Sequence, residues 1–341
     1  MKKIISLALL IALAVSCVIP AAPAEDKKLS VVATIFPIYD WTRVILGDDT
    51  DASLTLLLDS GVDLHSYQPT AADIMRIAAC DVFIYVGGES DEWVEDALKE
   101  AVSPGPAAVD LMEAMGSDLK TEEIVEGMEH EHHDHDEDHD HDDEDHDHEH
   151  DEEDHDHDHE HGDEADEHVW LSLRGAKKLV GVIASALAGA DPDRAGIYEA
   201  NAAAYIAELE ALDREYTDAL SDTRVDTVLF GDRFPFRYLA DDYGLNYYAA
   251  FAGCSAETEA SFQTIAFLSQ KVDELGLGAV LTIEGTNHKI AETIIRTAKA
   301  GDLKLLTMDS MQGRTLRDVQ AGVTYLKVMR DNLEVLKQAL D

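Results

Sequence analysis

LSVVATIFPIYDWTRVIL, residues 29–46, reads as an extended run followed by a helix. Its first part is rich in β-branched residues, and from residue 38 onward Ile38, Trp41 and Ile45 recur at helical spacing. These residues predict a strand over 30–35 and a helix over 38–46. Downstream, the same alternation gives a strand at 52–58, a helix at 71–79, a strand at 81–86 and a helix at 91–101. The second half repeats it, with strands at 227–230, 247–251, 279–283 and 304–308. Helices are predicted there at 234–243, 261–275 and 289–300, with a last one running to the C-terminus. Strands alternating with helical stretches of this length specify parallel sheets covered by helices. The fold class is therefore α/β, with two parallel-sheet lobes.

Between the lobes, Asp191-Pro192-Asp193 opens a helical pattern with Tyr198, Ala202, Tyr205, Ile206, Leu209 and Leu212 at three- and four-residue spacing. One unbroken helix of some 30 residues would be about 45 Å long and would act as a rigid strut. The predicted organisation is a signal segment at 1–24, an N-terminal lobe at 29–128 and an insertion at 129–167. The end of that lobe and the connecting helix follow at 168–222, and a C-terminal lobe at 223–341. In open α/β sheets ligands bind beyond the carboxyl ends of the strands, so a site in the interlobe cleft is expected.

The N-terminus pairs Lys2 and Lys3 with an apolar run at 4–15, too short to span a bilayer but suited to a signal peptide. Ala22-Pro23-Ala24 before Glu25 fits ordinary cleavage, and Ala14-Val15-Ser16-Cys17 is similar to a lipoprotein box. An exported protein is expected, either lipid-anchored on the outer face of the cell membrane or periplasmic. Beyond Cys17 there are only Cys80 and Cys254, in different halves, which is no disulfide framework. Both are read as packing residues, although Cys254 follows a strand and stands within reach of the cleft. The formal charge is −45, from 26 Lys and Arg against 71 Asp and Glu. That balance argues against nucleic acid and anionic membrane as partners and favours attraction of cations.

Every residue from 129 to 161 is histidine, aspartate or glutamate, and these 33 positions hold 13 of the 16 histidines and 20 acids. They are His130, His132, His133, His135, His139, His141, His146, His148, His150, His155, His157, His159 and His161. A tract with no apolar residue to bury is read as a disordered insertion that captures metal at low affinity, since imidazole and carboxylate are both divalent-metal ligands.

The other three histidines stand alone. His65 lies in the segment HSYQP beyond the second strand. His168 lies in DEHVWLSL, where Asp166 or Glu167 could orient its ring. His288 follows the strand at 279–283. HSYQP and DEHVWLSL closely resemble two signatures of the solute receptors of zinc and manganese ABC importers, the zinc-uptake type with a His-rich loop. That resemblance covers nearly the whole mature chain. It implies that His65 and His168 are metal ligands, that Asp309 is another, and that a histidine or glutamate should stand at the position held here by Arg233. A guanidinium has no lone pair to give. His288 is therefore read as the third imidazole, with Asp232 as a possible ligand under a register shift. Glu284 is read as a possible ligand or supporting group, and Arg233 as an ion-pair partner of Glu284 or Asp309.

Three imidazoles and a carboxylate favour Zn2+, with Mn2+ the alternative. Because metal needs neutral imidazole, affinity is expected to fall as pH drops toward 6. The resemblance implies a monomeric receptor that passes its ion to an importer permease driven by a cytoplasmic ATPase. The rival readings are a zinc-dependent hydrolase, against which the chain has no HExxH or GxSxG motif, and a surface metal buffer or adhesion protein acting through the tract.

Overall fold

The computed structural model describes residues 28–47, 51–101, 105–128, 164–255, 259–285 and 287–341. The predicted signal segment and the His/Asp/Glu tract lie outside the described residues. Two four-stranded sheets are present, and every strand pairing within them is parallel. The first contains β1 (Ser30–Ala33), β2 (Ser53–Leu56), β3 (Val82–Tyr85) and β4 (Ala107–Asp110), in the order β2-β1-β3-β4. The second contains β5 (Thr227–Phe234), β6 (Asn246–Ala252), β7 (Ala279–Ile283) and β8 (Lys304–Met308), in the order β6-β5-β7-β8. The two lobes thus share one strand order, and in each the chain reverses direction across the sheet between its first and third strands. That reversal opens a crevice at the strand ends.

The helices α1 (Phe36–Leu46), α2 (Ala71–Ala79), α3 (Trp93–Lys99) and α4 (Leu111–Met115) belong to the first lobe. Its β1 and β3 are buried on both faces, as expected for strands covered by helices, with Val31, Ala33, Val82, Phe83 and Ile84 all at 0% exposure. β4 and α4 were not predicted. β4 is an edge strand with two exposed residues, and so lacks the apolar run that marks a covered strand.

Two antiparallel-packed helices connect the lobes: α5 (Leu173–Ala190) and α6 (Ala195–Leu220). The expected single helix from Asp191 is 26 residues long, because Pro192–Arg194 forms a separate 3-10 turn before it. At 1.5 Å per residue α6 is about 39 Å long. It buries Tyr198, Ala202, Tyr205, Leu209, Leu212 and Tyr216 as the spacing requires, and Ile206 is half-buried. α6 packs on α1 and on α11 (Tyr325–Leu340), and the Tyr216 hydroxyl donates to the Met329 carbonyl at 2.5 Å. A strut that touches both lobes along its length limits their relative motion.

The second lobe is completed by α7 (Arg237–Tyr243), α8 (Phe262–Leu275), α9 (Lys289–Thr297) and α10 (Leu316–Gln320). β5 runs four residues further than predicted, through a register shift between Phe230 and Arg233, and α7 starts only after Pro235. A Cβ on Gly231 would lie 2.5 Å from the Cα of Ala291, so glycine there lets α9 press against β5. No described helix is long and apolar enough to cross a membrane.

Candidate metal centre

His65 sits on a one-turn 3-10 helix, Leu64–Ser66, pinned by fully buried Leu64 and by Asp63, whose carboxylate accepts the His65 N–H at 3.1 Å. The Nδ1 of His65 is 2.7 Å from Ser90 Oγ and 3.4 Å from Glu167 Oε2. His168 is fully buried just before α5, and both its backbone N–H (2.8 Å) and its Nδ1 (3.0 Å) meet Asp166 Oδ1. Each imidazole therefore has its Nδ1 turned to an acceptor, the arrangement that assigns the proton to Nδ1 and presents the Nε2 lone pair. The two Nε2 atoms face each other at 3.3 Å. With zinc–nitrogen bonds near 2.0–2.1 Å, two ligands at a tetrahedral angle are separated by about 3.4 Å. The imidazole pair already spans one edge of a zinc tetrahedron.

Burial lowers the His65 pKa to about 4, and His168 opposite adds to that effect. This ring stays neutral well below pH 6, so its protonation cannot supply the loss of affinity expected there. Glu167, held by the Ser90 N–H at 2.9 Å, is shifted upward by its burial. Gln312, also buried, has one end of its amide 2.7 Å from each oxygen of Asp63 and the other end 2.8 Å from His168 Nε2. The amide thereby bridges the ring and Asp63.

The opposite wall differs from its reading in sequence. Arg233 pairs not with Glu284 or Asp309 but with Asp63 across the cleft, at 2.7 Å. Asp63 stands beside His65 and is the nearer carboxylate once β5 extends through Arg233. Asp309 is engaged by the guanidinium of Arg314, which also reaches Asp318, and Asp309 Oδ1 accepts the Met311 N–H at 2.8 Å. Glu284 accepts from the Ser310 N–H and hydroxyl, each at 2.7 Å, and burial, with Asp309 behind it, raises its pKa to about 7. Asp232 is buried and accepts the Ile283 N–H at 3.3 Å. His288 is the half-buried residue preceding α9, in the left-handed region at φ 54°.

Among the described residues, the side chains whose donor atoms lie within 4.8 Å of one another are His65, His168 and Cys254. His288 and Asp309 are outside that group. Cys254, read in sequence as packing, follows β6 and lines a cleft of about 380 Å3 together with His65 and four glutamates, Glu89, Glu122, Glu164 and Glu167. Its sequence signal was its position just beyond a strand end. Gln312 and Ser90 carried none, because their neighbours are set only by packing. Cys80 is buried as expected, with its thiol donating to the Ile77 carbonyl at 3.2 Å. Thr121 and Ala165 pair in an antiparallel bridge, and their neighbours Glu122 and Glu164 line this acidic cleft.

The chain is 33% identical over 322 residues to the zinc-binding protein AdcA of Streptococcus pyogenes serotype M3, covering 93% of this chain and 57% of that relative. The chain thus spans little more than half the length of AdcA. It is 32% identical over 321 residues to the high-affinity zinc uptake system protein ZnuA of Bacillus subtilis strain 168, covering 94% of this chain and 90% of that protein. The crystal structure of the Zn(II)-bound ZnuA-like domain of Streptococcus pneumoniae AdcA superposes with a TM-score of 0.68 at 28% identity, over 92% of this chain and all of that domain. The family profile described as ZnuA, zinc-uptake complex component A, periplasmic, matches residues 31–339. With the two-lobed fold and the paired imidazoles, that match establishes that the chain belongs to this family.

Proposed function

We propose that the protein is an extracytoplasmic receptor that captures Zn2+ between its lobes and hands it to an ABC importer permease coupled to a cytoplasmic ATPase. The observation that carries this reading is the pair of Nε2 atoms 3.3 Å apart, each ring locked through Nδ1 by a carboxylate or hydroxyl. The zinc-binding and zinc-uptake relatives favour zinc over Mn2+ as cargo, and so does the imidazole content of the site. Export through the N-terminal segment, with lipid attachment at Cys17 and a monomeric state, completes the proposal. Membership of an uptake family takes the place of the hydrolase reading. The acidic cleft draws cations toward His65, and the His/Asp/Glu tract adds low-affinity capture. The test is a chelator-competition zinc titration of the protein beside His65→Ala and His168→Ala. A tight site present in the parent and lost in both variants is the expected result; tight binding that ignores both substitutions would sink the receptor reading.

A further inference from the structure

We propose that the Cys254 thiolate is a third protein ligand to the captured ion, giving a two-nitrogen, one-sulfur set with His65 and His168. This inference rests on the receptor reading and deepens it by naming a donor.

Four observations place the sulfur there. Its Sγ lies within 4.8 Å of one donor nitrogen of each imidazole. A nitrogen and a sulfur on one tetrahedral zinc stand about 3.6 Å apart, given zinc–sulfur bonds near 2.3 Å, so closure requires a movement of at most about 1.2 Å. The loop that carries Cys254 is already pressed on the site, because a Cβ on Gly253 would sit 3.1 Å from His168 Cε1. Glu122 Oε1 holds the same loop by accepting the Cys254 N–H at 2.9 Å. The topology agrees: His65 follows the edge strand β2 and Cys254 follows the matching edge strand β6.

The carboxylates of the second-lobe wall are already engaged. Asp309 is bound by Arg314, and Arg233 brings a positive charge that Asp63 neutralises. Cys254 is a free cysteine. Burial, followed by the charges of Glu122, Asp166 and Glu167, pushes the thiol up. Coordination then forms the metal–sulfur bond and releases the thiol proton to solvent, as metal binding does for cysteine generally. A soft thiolate selects zinc against manganese, which prefers oxygen.

The experiment is titration of the full chain with Co2+, a spectroscopic substitute for zinc, beside Cys254→Ser, Cys80→Ser, Cys17→Ser and His65→Ala. The tract holds no sulfur, so a near-ultraviolet thiolate-to-cobalt charge-transfer band reports a cysteine alone. The expected result is one such band that saturates with the first tight equivalent, survives C80S and C17S, and disappears in C254S and H65A. C254S should keep the parent's thermal midpoint without metal and lose roughly 10- to 100-fold in zinc affinity. A tight, His65-dependent cobalt site with no thiolate band, or with a band that persists in C254S, overturns the ligand assignment and leaves the receptor reading standing. Loss of any His65-dependent site overturns both.

Discussion

The two walls of the cleft carry similar numbers of metal-capable residues but prepare them differently. On the first-lobe wall, the Nδ1 of His65 stands against Ser90 and Glu167 and that of His168 against Asp166, so that the two Nε2 atoms face each other. On the second-lobe wall, Asp309 meets Arg314, Glu284 meets Ser310, Asp232 meets a backbone N–H, and Arg233 crosses to Asp63. Residue type is the same kind of information on both sides. What differs is whether an electron pair is left pointing at the ion, and that is set by the neighbours.

The largest effect should come from the first wall. His168→Ala is expected to lower zinc affinity by more than about 100-fold, beyond the range seen for supporting groups, by chelator competition. A loss of only a few-fold would mean that the paired imidazoles are not the site. Asp166→Asn keeps the shape but removes the charge behind His168, and should cost about 10- to 100-fold in the same assay. An unchanged affinity would show that ring orientation is fixed by packing alone.

On the second wall the sign should reverse. Arg233→Gln removes a cation facing the site and is expected to tighten zinc binding by roughly ten-fold, the scale of one partly screened charge. Weaker binding in R233Q would show that the Arg233–Asp63 bridge is needed to hold the lobes in place.

The smallest effects are in stability, and the walls should titrate oppositely. His65 has a folded pKa near 4, below its unfolded value of 6.5, so the unfolded chain binds the extra proton between those limits. Its contribution to stability is intact above pH 6.5 and is lost on acidification toward 4. Glu284 has a folded pKa raised from 4.5 to about 7, so its contribution is present below 4.5 and is lost as pH rises through 7. Urea midpoints in the presence of chelator should therefore show a shallower loss between pH 6.5 and 4 in His65→Asn. Glu284→Gln should gain on the parent between pH 4.5 and 7. Parallel profiles for both variants and the parent would remove the electrostatic contrast between the walls.

Legibility in the sequence followed the same divide. The strand at 279–283 and the helix at 71–79 were readable to the residue, because a covered strand is apolar throughout and the helix is framed by Thr70 and Asp73 in a capping box. The edge strand at 304–308 was readable as well, although three of its five residues are exposed, from its Leu305-Leu306-Thr307 run. The edge strand β4 was not readable, since its sequence Ala107-Ala108-Val109-Asp110 offers a single residue that favours a strand. The end of β5 was missed because Gly231, Asp232 and Arg233 look like a loop, whereas after a register shift Arg233 and Phe234 pair again with β6. His65 and His168 could be singled out by isolation and motif. The pairing of Arg233 with Asp63, 170 residues apart, and the approach of Cys254 to both imidazoles could not.

The sequence by itself determined the alternating α/β order, the connecting helix and the two histidines of the first wall, because period, caps and short motifs are local properties of the chain. Tertiary structure alone decided which second-wall donors retain a free electron pair. Ion pairing and burial there depend on side chains brought from distant strands, and a guanidinium or hydroxyl a few ångströms away outweighs the identity of the residue it engages.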